Sequence, residues 1–198
     1  MTFVLLCHHT QAGGSDGRFR APGRRFGPLH RVDGKKGNFG ACLLNLYFCV
    51  MEKPTYPIES SENGYWYEFE SVSDQKIIKK AVGFYPYRND EALVELVFGD
   101  MQPNGSLDVY QISNNNDMPI IIATVVQTIY RFLELYPDKI VTFIGSSASR
   151  NRLYRGIISK ILMENSSEIE VLGLTFDNQL ELFLSNKDYF SFLIKLKS

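Results

Sequence analysis

The sequence predicts an α+β domain, a single mainly antiparallel sheet with two helices in the order β-β-β-β-α-β-α-β-β. Three observations predict it. Short segments rich in aromatic and β-branched residues fill the stretch from Tyr65 to Ser113. Two segments with helical spacing follow, at 118–136 and 149–163, separated by a short apolar run. Two more apolar runs then lead to the end of the chain. No internal repeat is present.

In order, "YWYEFES" (65–71) alternates and reads as a strand, and "KKAVGFYPY" (79–87) reads as a second. "ALVELVFGDM" (92–101) is a third. "QPNG" (102–105) carries Asn-Gly, the strongest short hairpin signal, so "SLDVYQIS" (106–113) is a fourth strand antiparallel to the third. "NNNDMP" (114–119) opens a helix over 118–136, with Asp117 able to cap it and Pro119 suited to its first turn. Ile122, Val125, Val126, Ile129, Phe132, Leu133 and Tyr136 form its apolar stripe. "IVTFIG" (140–145) is a strand buried on both faces. The second helix, 149–163, places Leu153, Ile157 and Ile161 on its core side. "IEVLGLTF" (169–176) and "FSFLIKL" (190–196) are the last two strands.

Composition divides the 198 residues at Met51. Residues 1–50 hold all three Cys, all three His and a charge of +5, from five Arg and two Lys against two Asp. Residues 51–198 hold no Cys or His and carry −6. The leader is broken by Gly and Pro and lacks helical or strand period, so it is expected to be disordered or not native to the fold. Residues 51–198 are expected to be the single domain. A zinc site would draw on Cys7, His8, His9, Cys42 and Cys49, but Cys42 and Cys49 are too widely spaced for paired ligands, and no metal is expected. No apolar run approaches the roughly 18 residues of a membrane span, and the leader lacks the basic start of a secretory signal. A cytoplasmic protein without membrane contact is the expectation. The acidic balance of residues 51–198 argues against nucleic acid.

One stretch points to chemistry. In "IVTFIGSSASRNRLYRGIISK" an apolar strand ends at Gly145, and a helix studded with Arg follows within a few residues. A glycine lets the backbone turn tightly, and a helix start offers free N–H groups and the positive end of its dipole. Gly145, Ser146, Ser147, Ser149, Arg150 and Arg152 therefore form a candidate anion-binding corner for a phosphate or carboxylate. The competing reading is a serine N-cap followed by a solvated helix face. The spacing matches neither a P-loop nor a dinucleotide turn. Asn114, Asn115, Asn116 and Asp117 form a second polar patch, for which cap and turn chemistry is the plainer account. Asp100 and Asp108 flank the 102–105 turn and are a weaker candidate for metal or acid–base work. Without His after residue 50, a Ser-His-Asp or Cys-His arrangement is excluded there.

From about Tyr65 to Lys197, "YEFES", "FGD", "SNNND", "ATVVQTIYRFLELYP" and above all "GSSASRNRLYR" resemble a family of small uncharacterised bacterial proteins known only as a domain of unknown function. In that family the last motif resembles Gly-Ser-Thr-x-Ala-Arg-Thr-Arg-Leu-Tyr. Gly145, Ser146, Arg150, Arg152, Leu153 and Tyr154 match it, while Ser147, Ser149 and Asn151 depart. The family implies no activity. A looser, architectural resemblance is to GCN5-related N-acetyltransferases, which share the order of four strands, helix, strand, helix and two strands. That resemblance implies coenzyme A as a co-substrate and places Asn151 and Tyr154 in the helix near the acetyl group, with Tyr154 as proton donor. It departs at "NNNDMP", where the glycine turn for pyrophosphate would lie.

Function and cofactor are therefore open on sequence alone. A binding or regulatory domain that takes an anionic ligand or a protein partner at the corner is the first expectation. A coenzyme A-dependent acyltransferase-like enzyme is the second, and a toxin–antitoxin or defence component the third. The composition break carries its own test. A chain beginning at Met51 should fold with an unchanged melting midpoint in calorimetry, and a fall of several degrees would make residues 1–50 part of the fold.

Overall fold

The computed structural model describes residues 18–20, 30–31, 54–87, 90–111, 113, 115–145, 147–165 and 168–197. The expectation for the leader, including the candidate zinc ligands, falls almost wholly outside them. The described strands are β1 (Arg18–Arg20), β2 (His30–Arg31), β3 (Glu59–Ser60), β4 (Trp66–Val72), β5 (Ile77–Tyr87), β6 (Asp90–Met101), β7 (Ser106–Asp108), β8 (Ile140–Phe143), β9 (Ile169–Leu174), β10 (Leu180–Leu182) and β11 (Ser191–Leu196). The helices are α1 (Met118–Leu135) and α2 (Ala148–Asn165). From β4 on, the order matches the sequence expectation, with the short β10 added before β11 and the short β3 before β4.

One sheet runs β10-β9-β11-β8-β6-β5-β4-β3-β2, with β7 beside the end of β6 and β1 beside β7. Among the described strands every pairing is antiparallel except β6 with β8. That parallel pair follows from the α1 crossover, because a parallel neighbour needs a long connection over one face. β11 enters between β8 and β9 and closes the second half of the sheet.

Alternation along the strands sorts the core into two faces. Tyr67, Phe69, Val82, Phe84 and Val94 lie on the face covered by both helices. Trp66, Ala81, Val97 and Leu107 cluster on the other. Phe132 of α1 is fully buried and stacks on Phe84, with ring centroids 4.1 Å apart. α1 has the length and apolar character of a membrane span, contrary to the reading of the sequence, yet here it is a core helix with half of its length buried. Its far side is also covered. Ala123, Thr124 and Gln127 are buried, and the backbone N–H of Tyr56 donates to Thr124 Oγ1 at 2.9 Å, so an extended segment before β3 crosses the helix.

Three local expectations change. β7 ends at Asp108 rather than Ser113, because the Asp108 carboxylate accepts from the N–H groups of Tyr110 and Gln111 and turns the chain away. Asp117 precedes α1 but makes no side-chain cap bond, since its carboxylate is engaged elsewhere. Leu153 is 39% exposed, Tyr154, Ile157 and Ile158 point inward, and the side chain of Ile161 lies outside the described ones. The 102–105 turn holds as expected, with Gly105 at φ +78° and its N–H on the Gln102 carbonyl.

The helix-covered face also carries a buried ion pair. Lys80 of β5 and Asp100 of β6 are cross-strand partners, and their side chains meet at 2.5 Å. They are 3% and 5% exposed. Ser113 Oγ accepts from Lys80 at 2.6 Å and donates to Asp100. Removing one partner strands the other charge in the core. Lys80→Met should therefore cost about 3–5 kcal/mol in urea unfolding, and the Lys80→Met, Asp100→Leu double variant should recover most of that loss.

Candidate functional site

The site begins with a break in the sheet. β6 pairs with β8 only through Leu93, Val94 and Glu95, opposite Ile140, Val141 and Thr142. It pairs with β7 only at Asp100 and Met101. Between these two contacts, Leu96–Gly99 have, among the described strands, a partner on the β5 side alone. The parallel pair thus parts after three residues and leaves a wedge between β6 and β8. α1 and α2 cover it, and a cavity of about 140 Å³ lies beneath them. Its lining is mostly apolar, with Leu96 and Phe98 from β6, Val126 and Ile129 from α1, and Ile157 from α2. Glu95, Arg150 and Tyr154 are its polar members.

Tyr154 is held edge-on against Phe143, ring centroids 5.6 Å apart. Burial pushes its phenol above the usual range, against an opposite pull from the Arg150 guanidinium. The group keeps its proton through neutral pH and remains a hydrogen-bond donor. Glu95 stands opposite Tyr85 across the strands. Burial, with Glu95's charge in support, lifts the Tyr85 phenol to about 12.

The corner after β8 is bonded largely from within. The Gly145 N–H donates to Asn151 Oδ1 at 2.6 Å. A Cβ at Gly145 would lie 2.5 Å from that oxygen, so glycine is what lets the helix start this close to the strand end. Ser147 precedes α2, and its Oγ accepts from the Arg150 N–H at 3.3 Å, an N-cap bond. Arg150 donates from Nη1 to the Val109 carbonyl at 2.5 Å and from Nη2 to the Gln111 carbonyl at 3.2 Å. It ties the strap after β7 across the wedge to α2. Ser149 and Arg152 are exposed on the first turns of α2, and Ser146 lies outside the described residues. The structure therefore brings Gly145, Ser147 and Arg150 together, with the Gly145 N–H and the Arg150 guanidinium engaged within the protein, and leaves Ser149 and Arg152 at the surface.

The second polar patch turns inward. Asp117 Oδ2 accepts from Ser71 Oγ at 2.5 Å and from the Tyr56 hydroxyl at 2.6 Å. Asn115 Nδ2 donates to Ser71 Oγ at 2.8 Å. Asn116 takes a left-handed φ of 57° to allow this, and Asn114 lies outside the described residues. Asp100 and Asp108 are cross-strand partners, and the structure engages the first with Lys80 and the second with the turn beyond β7. Sequence reasoning named Arg150 and Tyr154 but missed Glu95, and read Val125, Val126, Ile129 and Ile157 as core rather than cavity lining. Glu95 is an acidic residue inside an apolar run, which is the signal that could have marked it.

A family model matches residues 52–197. The chain belongs to DUF6934, a family of unknown function. No curated protein and no solved structure matches it. The match spans β3 to β11 and both helices. In this DUF6934 chain the wedge, Tyr154 and the Arg150 tie are the features with chemical capacity.

The tie has a direct test. Arg150→Ala should free the Val109 and Gln111 carbonyls, cost about 1–3 kcal/mol, and raise amide hydrogen exchange in the strap around 109–113. Arg150→Lys should restore only part of the protection, because a point charge cannot bridge two carbonyls as the planar fork does.

Proposed function

We propose that this domain is a bacterial, cytoplasmic acyl-transfer enzyme that takes the pantetheine arm of a thioester donor into the wedge between β6 and β8. One observation carries the reading. Among the described strands, the Leu96–Gly99 stretch of β6 is paired on one side only, beside a mostly apolar cavity with Tyr154 on its wall. A half-paired strand edge suits an extended, amide-bearing chain, which can hydrogen-bond to it as a further strand would. The strand order and the place of Tyr154 support the reading as well.

The chemistry asked of the residues is limited. An acceptor amine or hydroxyl adds to the thioester carbonyl and the C–S bond breaks. Tyr154 gives its proton to the departing thiolate, and the acceptor's proton returns to the phenolate through solvent. The diphosphate end of coenzyme A has no glycine turn at the start of α1, where Asp117 sits. The reading therefore rests on the pantetheine arm, whether it comes from free coenzyme A or from a carrier protein.

A second reading, recognition of a phosphate- or carboxylate-bearing ligand or protein without catalysis, is supported by Ser149 and Arg152. Both are exposed, and Arg152 has no ion pair among the described residues.

Thermal-shift and calorimetric titration with acetyl-coenzyme A, acetyl-pantetheine and inorganic phosphate separates these. Both thioesters should raise the midpoint, by the equivalent of about 2.7 kcal/mol at a hundredfold excess over Kd. Tyr154→Phe should keep that binding and lower thiol release in the presence of amines by at least about a hundredfold. Stabilisation by phosphate alone would favour the second reading, and no response to millimolar thioester would end the first.

A further inference from the structure

We infer that the acyl group this wedge accepts is an apolar chain of about six carbon atoms, not acetyl. The inference rests on the acyl-transfer reading and names its substrate class. The cavity measures about 140 Å³. Apart from Glu95, Arg150 and Tyr154 its lining is apolar, with Leu96, Phe98, Val125, Val126, Ile129 and Ile157 among it. A dry cavity of about 150 Å³ with a wall of this kind holds a benzene molecule. A lone methyl would leave most of that space empty, and close-packed interiors do not leave such space without a reason.

Val125 and Val126 carry a second sign. Both lie on the apolar stripe that the helical period assigns to the core, yet they are only half-buried while Ile129 and Phe132 below them are closed off. Both line the cavity, so these side chains face its space.

The test is a chain-length series of coenzyme A thioesters, acetyl through decanoyl with benzoyl, titrated calorimetrically, beside benzene alone followed by thermal shift. Each methylene from acetyl to hexanoyl should tighten binding about fourfold, the equivalent of roughly 0.8 kcal/mol per buried CH₂, with no further gain at decanoyl. Benzene alone should raise the midpoint. Val126→Phe should abolish the hexanoyl preference and the benzene effect. The milder Val126→Ile, with its fold checked by circular dichroism, should move the optimum to a shorter chain. Equal affinity across the series, with no benzene effect, overturns the inference and leaves acyl transfer standing. A benzene effect sensitive to Val126→Phe, with no thioester bound, removes the acyl-transfer reading and keeps a site for a six-carbon apolar group. No response to either overturns both.

Discussion

β6 is bonded to β5 from Asp100 back to Val94, and that unbroken edge is the constraint from which the rest of the architecture follows. A strand secured along one side can release its other side without unravelling, because half of its backbone groups stay paired. β6 uses this freedom. It gives three residues to β8, two to β7, and leaves the stretch between them without a further partner among the described strands. The wedge is thus a property of hydrogen-bond accounting before it is a property of any side chain. α1 is pinned to the sheet at Phe84 and Phe132, while Val125 and Val126 stand over the opening.

The corner after β8 then acquires a different meaning from an anion trap. Its glycine, serine and arginine satisfy the start of α2 and fix its angle. Asn151 holds the Gly145 N–H, Ser147 caps the helix, and Arg150 reaches to the strap beyond β7. Together they set Tyr154 against Phe143 and beside the cavity. The arginine that draws the eye in the sequence works on two carbonyls, and the tyrosine four residues later is placed by it.

Two buried polar groups anchor the connection from β7 to α1. Lys80, Asp100 and Ser113 form one, and Tyr56, Ser71, Asn115 and Asp117 form the other. Polar groups buried this deeply are tolerated because they bond to one another, and each bond demands a particular placement. They tie the loop to β4, β5 and β6 and to the segment before β3, so the first turn of α1 is located by side chains rather than by a cap of its own.

Local chemistry made much of this legible in the chain. The alternation of 65–71, the Asn-Gly turn, the period of 118–136 and the apolar run at 140–145 specify strands, hairpin, helix and buried strand, because each depends on residues close together in sequence. Gly145 also declared itself as the turn after a strand, which ends two residues earlier at Phe143. The partners of Arg150 and Lys80 did not, since Val109 and Ser113 lie 41 and 33 residues away. Nor did the entry of β11 between β8 and β9, the outward turn of Leu153, or the parting of β6 from β8. Those were decided only when the sheet assembled, because a strand's sequence says which face is apolar and says nothing of which neighbour it will keep.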